Sequence, residues 1–164
     1  MGRLTSSAIP TRLGCARGSY DARVSGVSVM QIPVEQTRAL RQAVLRPHES
    51  LEQLTADEPA DVYAVGVFRD GALAAVGFVA PDGPPGSWRV RAMATVADER
   101  GLGLGGAVLE ALVRHAREHG GVRVWCNARA PARAFYERAG FHATSEEFEI
   151  ELIGAHFVME RSLS

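Results

Sequence analysis

Residues 93–106 read Met-Ala-Thr-Val-Ala-Asp-Glu-Arg-Gly-Leu-Gly-Leu-Gly-Gly. A short apolar stretch runs into a glycine-rich turn and on into the helical pattern of residues 107–119. Glycines at a helix start let the backbone approach a ligand without interference from Cβ. The N–H groups of a first helical turn have no intrahelical partner, and with the helix dipole they favour an anion, phosphate above all. Arg100 adds a positive charge at the mouth of the turn. A phosphate-bearing cofactor is therefore the first expectation.

Three phosphate-binding patterns compete for these residues. The phosphate loop of nucleotide triphosphatases needs Gly-Lys-Ser/Thr, and here Gly105 is followed by Gly106-Ala107-Val108, so that reading fails. The dinucleotide fingerprint G-x-G-x-x-G is present as Gly101, Gly103 and Gly106. It should also bring an acid about 20 residues on, at the end of the next strand. The strand expected at 122–126 leads into Asn127 with no carboxylate. The third pattern, Arg/Gln-x-x-Gly-x-Gly/Ala, is matched by Arg100, Gly103 and Gly105. It resembles the pyrophosphate-binding signature of the GNAT superfamily of N-acetyltransferases. A second block, Ala132-Arg133-Ala134-Phe135-Tyr136-Glu137-Arg138-Ala139-Gly140-Phe141, is similar to that family's A-x-x-x-Y-x-x-x-G-F segment. The blocks stand in the family's order, and the resemblance spans residues 62–161.

Composition fits an ordinary soluble globular protein. The chain has 164 residues, enough for one domain with a substantial core. Its 18 basic and 19 acidic side chains give a net charge of −1, no electrostatic reason to expect nucleic acid as a partner. Two cysteines, Cys15 and Cys126, suggest neither a disulfide framework nor a metal site. No run approaches the ~18 apolar residues of a membrane span, and no apolar leader is evident. The expectation is a cytoplasmic protein without membrane contact, monomer or homodimer.

Residues 1–26, rich in Gly, Ser, Thr and Arg, read as a flexible extension or as an arm for a partner, ahead of a single domain at 27–164. Residues 27–32 suggest a strand and 34–45 a helix stopped near Pro47. Residues 48–59 are polar and read as loop. Strands at 62–68 and 72–80 are joined by Arg69-Asp70-Gly71, a hairpin signal, and a further strand covers 88–95. A helix at 103–119 presents Leu104, Val108, Ala111 and Leu112 on one face. A strand at 122–126, a helix at 131–139 and a hairpin of 141–150 with 155–160 complete the chain. The order β-α-βββ-α-β-α-ββ indicates an α/β protein, a mixed sheet of about seven strands with helices on both faces. That order resembles the GNAT fold, in which the fourth and fifth strands splay apart around the cofactor.

The resemblance implies acetyl-CoA as co-substrate, no metal, and transfer of acetyl to a primary amine. It implies that the backbone of Met93, Ala94 and Thr95 pairs with the pantetheine amides. The N–H groups of Leu102, Gly103, Leu104, Gly105 and Gly106 would take the pyrophosphate, with Gly101 shaping the turn and Arg100 alongside. Tyr136 stands where the family carries its general acid, and a phenol with a reference pKa near 10 is protonated at pH 7. Asn127 would present an amide to the cofactor. The family's asparagine, however, aligns with Arg129, which would reach a cofactor phosphate or simply be solvated. Residues 88–96 contain no acid, so the strand that often carries the base lacks one; candidates are Glu147, Glu149 and His156. Arg89 and Arg91 on that strand favour an acidic acceptor. Thr95 replaces a usually apolar residue and Ala97 a common proline. A small amine is the expected acceptor, by direct attack; the alternatives are a protein N-terminus or lysine, or a non-catalytic coenzyme A-binding module.

Overall fold

The computed structural model describes residues 26–164. The extension expected at 1–26 and Cys15 therefore lie almost wholly outside the described residues. Strand β1 (Val27–Ile32) is followed, after a single 3-10 turn at Val34–Thr37, by α1 (Arg38–Leu45) and α2 (Leu51–Ala56). Three antiparallel strands come next, β2 (Tyr63–Arg69), β3 (Ala72–Pro81) and β4 (Ser87–Thr95), then α3 (Leu104–Glu118). The chain closes with β5 (Arg123–Arg129), α4 (Arg133–Arg138), β6 (His142–Ala143), β7 (Phe148–Ile150) and β8 (Gly154–Ser162). One sheet runs β1-β2-β3-β4-β5-β8-β6, with β7 also on β8. Among these pairs only β4 with β5 is parallel, because α3 carries the chain from one to the other across a face of the sheet.

Three expectations change. The polar stretch 48–59 contains a helix: the Ser50 hydroxyl accepts from the Gln53 N–H while the Gln53 side chain accepts from the Ser50 N–H. This reciprocal cap satisfies two backbone donors, and the S-x-x-Q signal was in the sequence. Only Leu54 of that helix is buried, which is why no apolar stripe announced it. Strand β5 continues beyond Cys126 to Arg129 because β8 pairs with it throughout, outweighing the weak strand preference of Asn127 and Ala128. The closing hairpin has two short strands, β6 and β7, on the long β8, giving eight strands in place of about seven. They are separate because Ser145 breaks the ladder, its hydroxyl accepting from the Val158 N–H.

Alternation along the strands sorts the side chains between two faces. Under α3, Val108, Leu109, Leu112, Val113 and Ala116 are fully buried against Val65, Val67, Val79 and Val124. Under α1, Leu40, Val44 and Leu45 cover Ile32, Ala64, Val76, Phe78 and Ala94. The α1 side is also locked by charge: Glu58, beyond α2, accepts from Arg41 at 2.6 Å and Arg38 at 2.8 Å. The Arg41 and Glu58 side chains are only 6% and 7% exposed, so each is the other's replacement for water.

Candidate active site

Strands β4 and β5 pair only through Ser87 with Arg123, Trp88 with Val124 and Arg89 with Trp125. Beyond that point they separate, and the cause lies in β4. Its register against β3 shifts so that Arg91 faces Phe78 and Ala94 faces Val76, leaving Ala92 and Met93 opposite Gly77 alone. This bulge puts Ala92 at φ 59°, a left-handed conformation that costs a residue with a Cβ about 1–2 kcal/mol. Gly77 is required opposite it, since a Cβ there would lie 2.5 Å from the Met93 sulfur and 2.9 Å from Val108. β4 therefore bends away while β5 follows β8 straight to Arg129. The two strand edges, at 91–95 and 126–129, no longer pair with each other and stand ready for an extended ligand.

At the far end of this opening lies the glycine turn. Gly101 and Gly103 have φ of 80° and 79°, which only glycine adopts without strain. Gly103 is the N-cap of α3 and offers no side chain to the helix start. Among the described residues, the first N–H of α3 to find a backbone acceptor is that of Ala107, bound to the Gly103 carbonyl at 3.1 Å. A Cβ on Gly106 would meet no atom within 4 Å, so the first turn faces open space. Gly105 sits against Thr95 and Phe135, whose atoms would lie 3.4 and 3.5 Å from a Cβ there. The Leu104 side chain is buried in the core and Leu102 packs against it, leaving their backbones to face outward. Arg100 is exposed with no carboxylate on it among the described residues, while its neighbour Glu99 pairs with Arg69. An uncapped, glycine-lined helix start with a cation beside it fits a pyrophosphate.

Tyr136, on α4, is 6% exposed and packs edge-on against Phe135 and Phe141. Its phenol lies beside the thiol of Cys126 on β5, where the strand enters the opening. Burial, with Cys126 adding to it, pushes the phenol well above its ordinary pKa. Burial likewise pushes the Cys126 thiol up to about 12. Both therefore hold their protons at neutral pH, and Cys126 is no nucleophile.

On the opposite face, β5 presents Trp125, Asn127 and Arg129. Asn127 is thus in the strand rather than at its end. Arg129 does not turn toward the glycine turn; it donates to the Leu45 carbonyl at the C-terminus of α1, at 2.5 Å. His156 is opposite Arg129 in the β5–β8 register, on this same face, and is 4% exposed. Its Nδ1 lies 2.7 Å from the Gly154 carbonyl, which can only accept, so Nδ1 is the donor of that contact. Tyr136 and His156 thus lie on opposite faces of the sheet. Glu147 and Glu149 are exposed, and Glu149 stands opposite Ala155, turned away from His156's face.

The sequence profile of the Acetyltransferase (GNAT) family matches residues 28–141. The chain belongs to this family. It is 33% identical over 144 residues to the uncharacterized N-acetyltransferase YitI of Bacillus subtilis (strain 168), covering 84% of this chain and 97% of that one. Among solved structures, the ribosomal-protein-S18-alanine N-acetyltransferase of Escherichia coli aligns with a TM-score of 0.70 at 18% identity, over 84% of this chain and 94% of that one. An acyl-CoA N-acyltransferase of Pseudomonas aeruginosa aligns at 0.65 and 24% identity, over 88% and 100%. These structural likenesses establish the fold, and the family makes the chain an acyltransferase acting in acetyl transfer. What the sequence reading of this GNAT protein missed is Asp82. It lies in the turn before β4 and pairs with both Arg89 at 3.5 Å and Arg91 at 2.9 Å. Arg89 also stacks over Trp125, 4.6 Å from the ring centre.

Proposed function

We propose that the protein is an acetyl-CoA-dependent N-acetyltransferase acting on a small primary amine by direct attack. The observation that carries this reading is the opening between β4 and β5, with the uncapped glycine turn at one end and the Tyr136–Cys126 pair at its wall. The backbone of Met93, Ala94 and Thr95 would hold the pantetheine arm as an added strand. The N–H groups of residues 102–106, with Arg100, would hold the pyrophosphate.

Bound there, acetyl-CoA supplies an acetyl group activated as a thioester. Held against the opening, the amine reacts at the high effective concentration that positioning confers. As the C–N bond forms and the C–S bond breaks, the amine loses one proton and the sulfur gains one. Tyr136 keeps the second proton available, because its phenol does not ionise at neutral pH. His156 Nε2, the ring nitrogen not turned to the Gly154 carbonyl, would take the first proton, directly or through water. The high pKa of Cys126 argues against an acetylated cysteine on the way.

The test is release of free coenzyme A from acetyl-CoA in the presence of a panel of primary amines. Turnover with at least one small amine is the expected result. Binding of acetyl-CoA without turnover of any amine, peptides included, would sink the enzymatic assignment of these residues.

A further inference from the structure

The α1 face of the opening carries more positive charge than its carboxylates offset. Four arginines, Arg46, Arg89, Arg91 and Arg129, face two carboxylates, Asp82 and Glu49. The charges fall into two groups. At the closed end, where β4 and β5 still pair, Asp82 serves both Arg89 and Arg91, and Trp125 covers the Arg89 guanidinium. At the open end, Arg129 from β5 reaches the carbonyl of Leu45, the residue before Arg46 at the end of α1. Arg129 is half-buried, has one of its five donors on the Leu45 carbonyl, and meets no carboxylate among the described residues. Arg46 reaches Glu49 only at 3.7 Å, too long for a hydrogen bond, and the Arg46 Nη1 and the Glu49 Oε2 are each buried without a partner.

Two guanidinium groups at one end of α1 that share a single, poorly placed carboxylate, Glu49, leave charge and a buried donor for a further anion to complete. The bland reading is that Arg129 only caps α1, whose last carbonyls lack intrahelical partners. It accounts for a single donor and leaves the neighbouring Arg46 Nη1 unexplained. The C-terminus of α1 places both arginines beside the free edge of β5, along which an acceptor would approach.

We propose that the acceptor amine carries a carboxylate, and that Arg46 and Arg129 form its seat. The inference rests on the acetyltransferase reading above and names the class of substrate for that site. It moves the acidic-acceptor expectation away from Arg89 and Arg91, which share Asp82, although the Arg89 Nε is itself buried without a partner. Guanidinium is suited to the task because its planar fork matches a carboxylate's two oxygens.

The experiment compares matched ligands at constant ionic strength in the presence of coenzyme A. N-acetylated amino acids (glycine, β-alanine, glutamate and the hydrophobic series) serve as product mimics, against their carboxamides, with thermal stabilisation as the readout. At least one carboxylate should stabilise the protein where its amide does not. Arg129→Gln and Arg46→Gln should each weaken that ligand by at least about tenfold, the range of a lost charge-assisted hydrogen bond, while the shift given by coenzyme A alone persists. Persistence of that shift shows that the variants are folded. Amides that bind as well as acids, no response to any carboxylate, or variants that bind the acid unchanged would each overturn the proposal. Failure of coenzyme A itself to stabilise the wild-type protein would instead strike the acetyltransferase reading beneath it.

Discussion

The two faces of the sheet meet their surroundings in opposite ways. Beneath α3 and α4, Tyr136 and Cys126 are sealed among apolar neighbours and keep their protons. Beneath α1, guanidinium and carboxylate groups crowd the sheet surface, and several stay incompletely matched. A sealed face suits a group that must hold a proton until a bond breaks. A charged face suits recognition of a ligand from solution. The opening between β4 and β5 is where the two environments meet.

The sharpest way to break this contrast is to remove the phenol from the sealed face. Tyr136→Phe keeps the ring's packing, and turnover should fall by about 10²–10⁴, the usual worth of a general acid. Affinity for acetyl-CoA should hardly move. Unchanged turnover in steady-state assays would assign Tyr136 to packing alone.

On the charged face the largest effect belongs to stability. Glu58→Gln leaves Arg41 buried without a counter-charge and should cost about 3–5 kcal/mol in denaturant unfolding. Burial alone would raise the Glu58 pKa, but hydrogen bonds from Arg38 and Arg41 outweigh it and hold the carboxyl below its ordinary value. The folded pKa is thus below the unfolded one. The contribution is complete above the usual carboxylate range and fades as pH falls through that range and below. Wild type should therefore lose stability on acidification more steeply than Glu58→Gln; parallel curves would show that the pair does not titrate as described.

Gly106→Leu separates binding from folding at the glycine turn. Its Cβ would meet no protein atom within 4 Å and leucine would improve helix propensity, so the melting temperature should hold or rise. Coenzyme A affinity should drop by roughly tenfold or more, about 1.4 kcal/mol, because the added side chain fills the space the phosphates need. The smallest effect is expected at the bulge. Ala92→Gly removes left-handed strain worth about 1–2 kcal/mol and adds chain entropy of about 0.5–1 kcal/mol. Net stabilisation should lie between about 0 and 1.5 kcal/mol by the same figures, read from the denaturation midpoint. A clear loss of stability would mean that the Ala92 methyl is a packing group.

The α3 face was legible in the sequence because its parts are local. The glycine turn and its helix are one continuous segment, and Tyr136 lies in a block with its own spacing. The α1 face was not, because Arg46, Asp82, Arg129 and His156 come from four distant segments brought together by β-pairing and by α1. Arg129 shows the limit most clearly: its identity was noted, but its direction depends on strand parity and on where α1 ends. The α2 helix was missed for another reason. Its capping box was present, yet a six-residue helix with one buried leucine gives little periodicity to read.

The central claim is that the opening between β4 and β5, with the glycine turn at its far end, is a coenzyme A seat. Thermal unfolding with acetyl-CoA, coenzyme A and NAD in parallel tests it directly. At ~100 times its dissociation constant, a ligand bound only by the folded protein adds about 2.7 kcal/mol of stability. The account predicts a clear rise in melting temperature with acetyl-CoA and coenzyme A and none with NAD. No rise with the coenzyme A pair, or an equal rise with NAD, would contradict it.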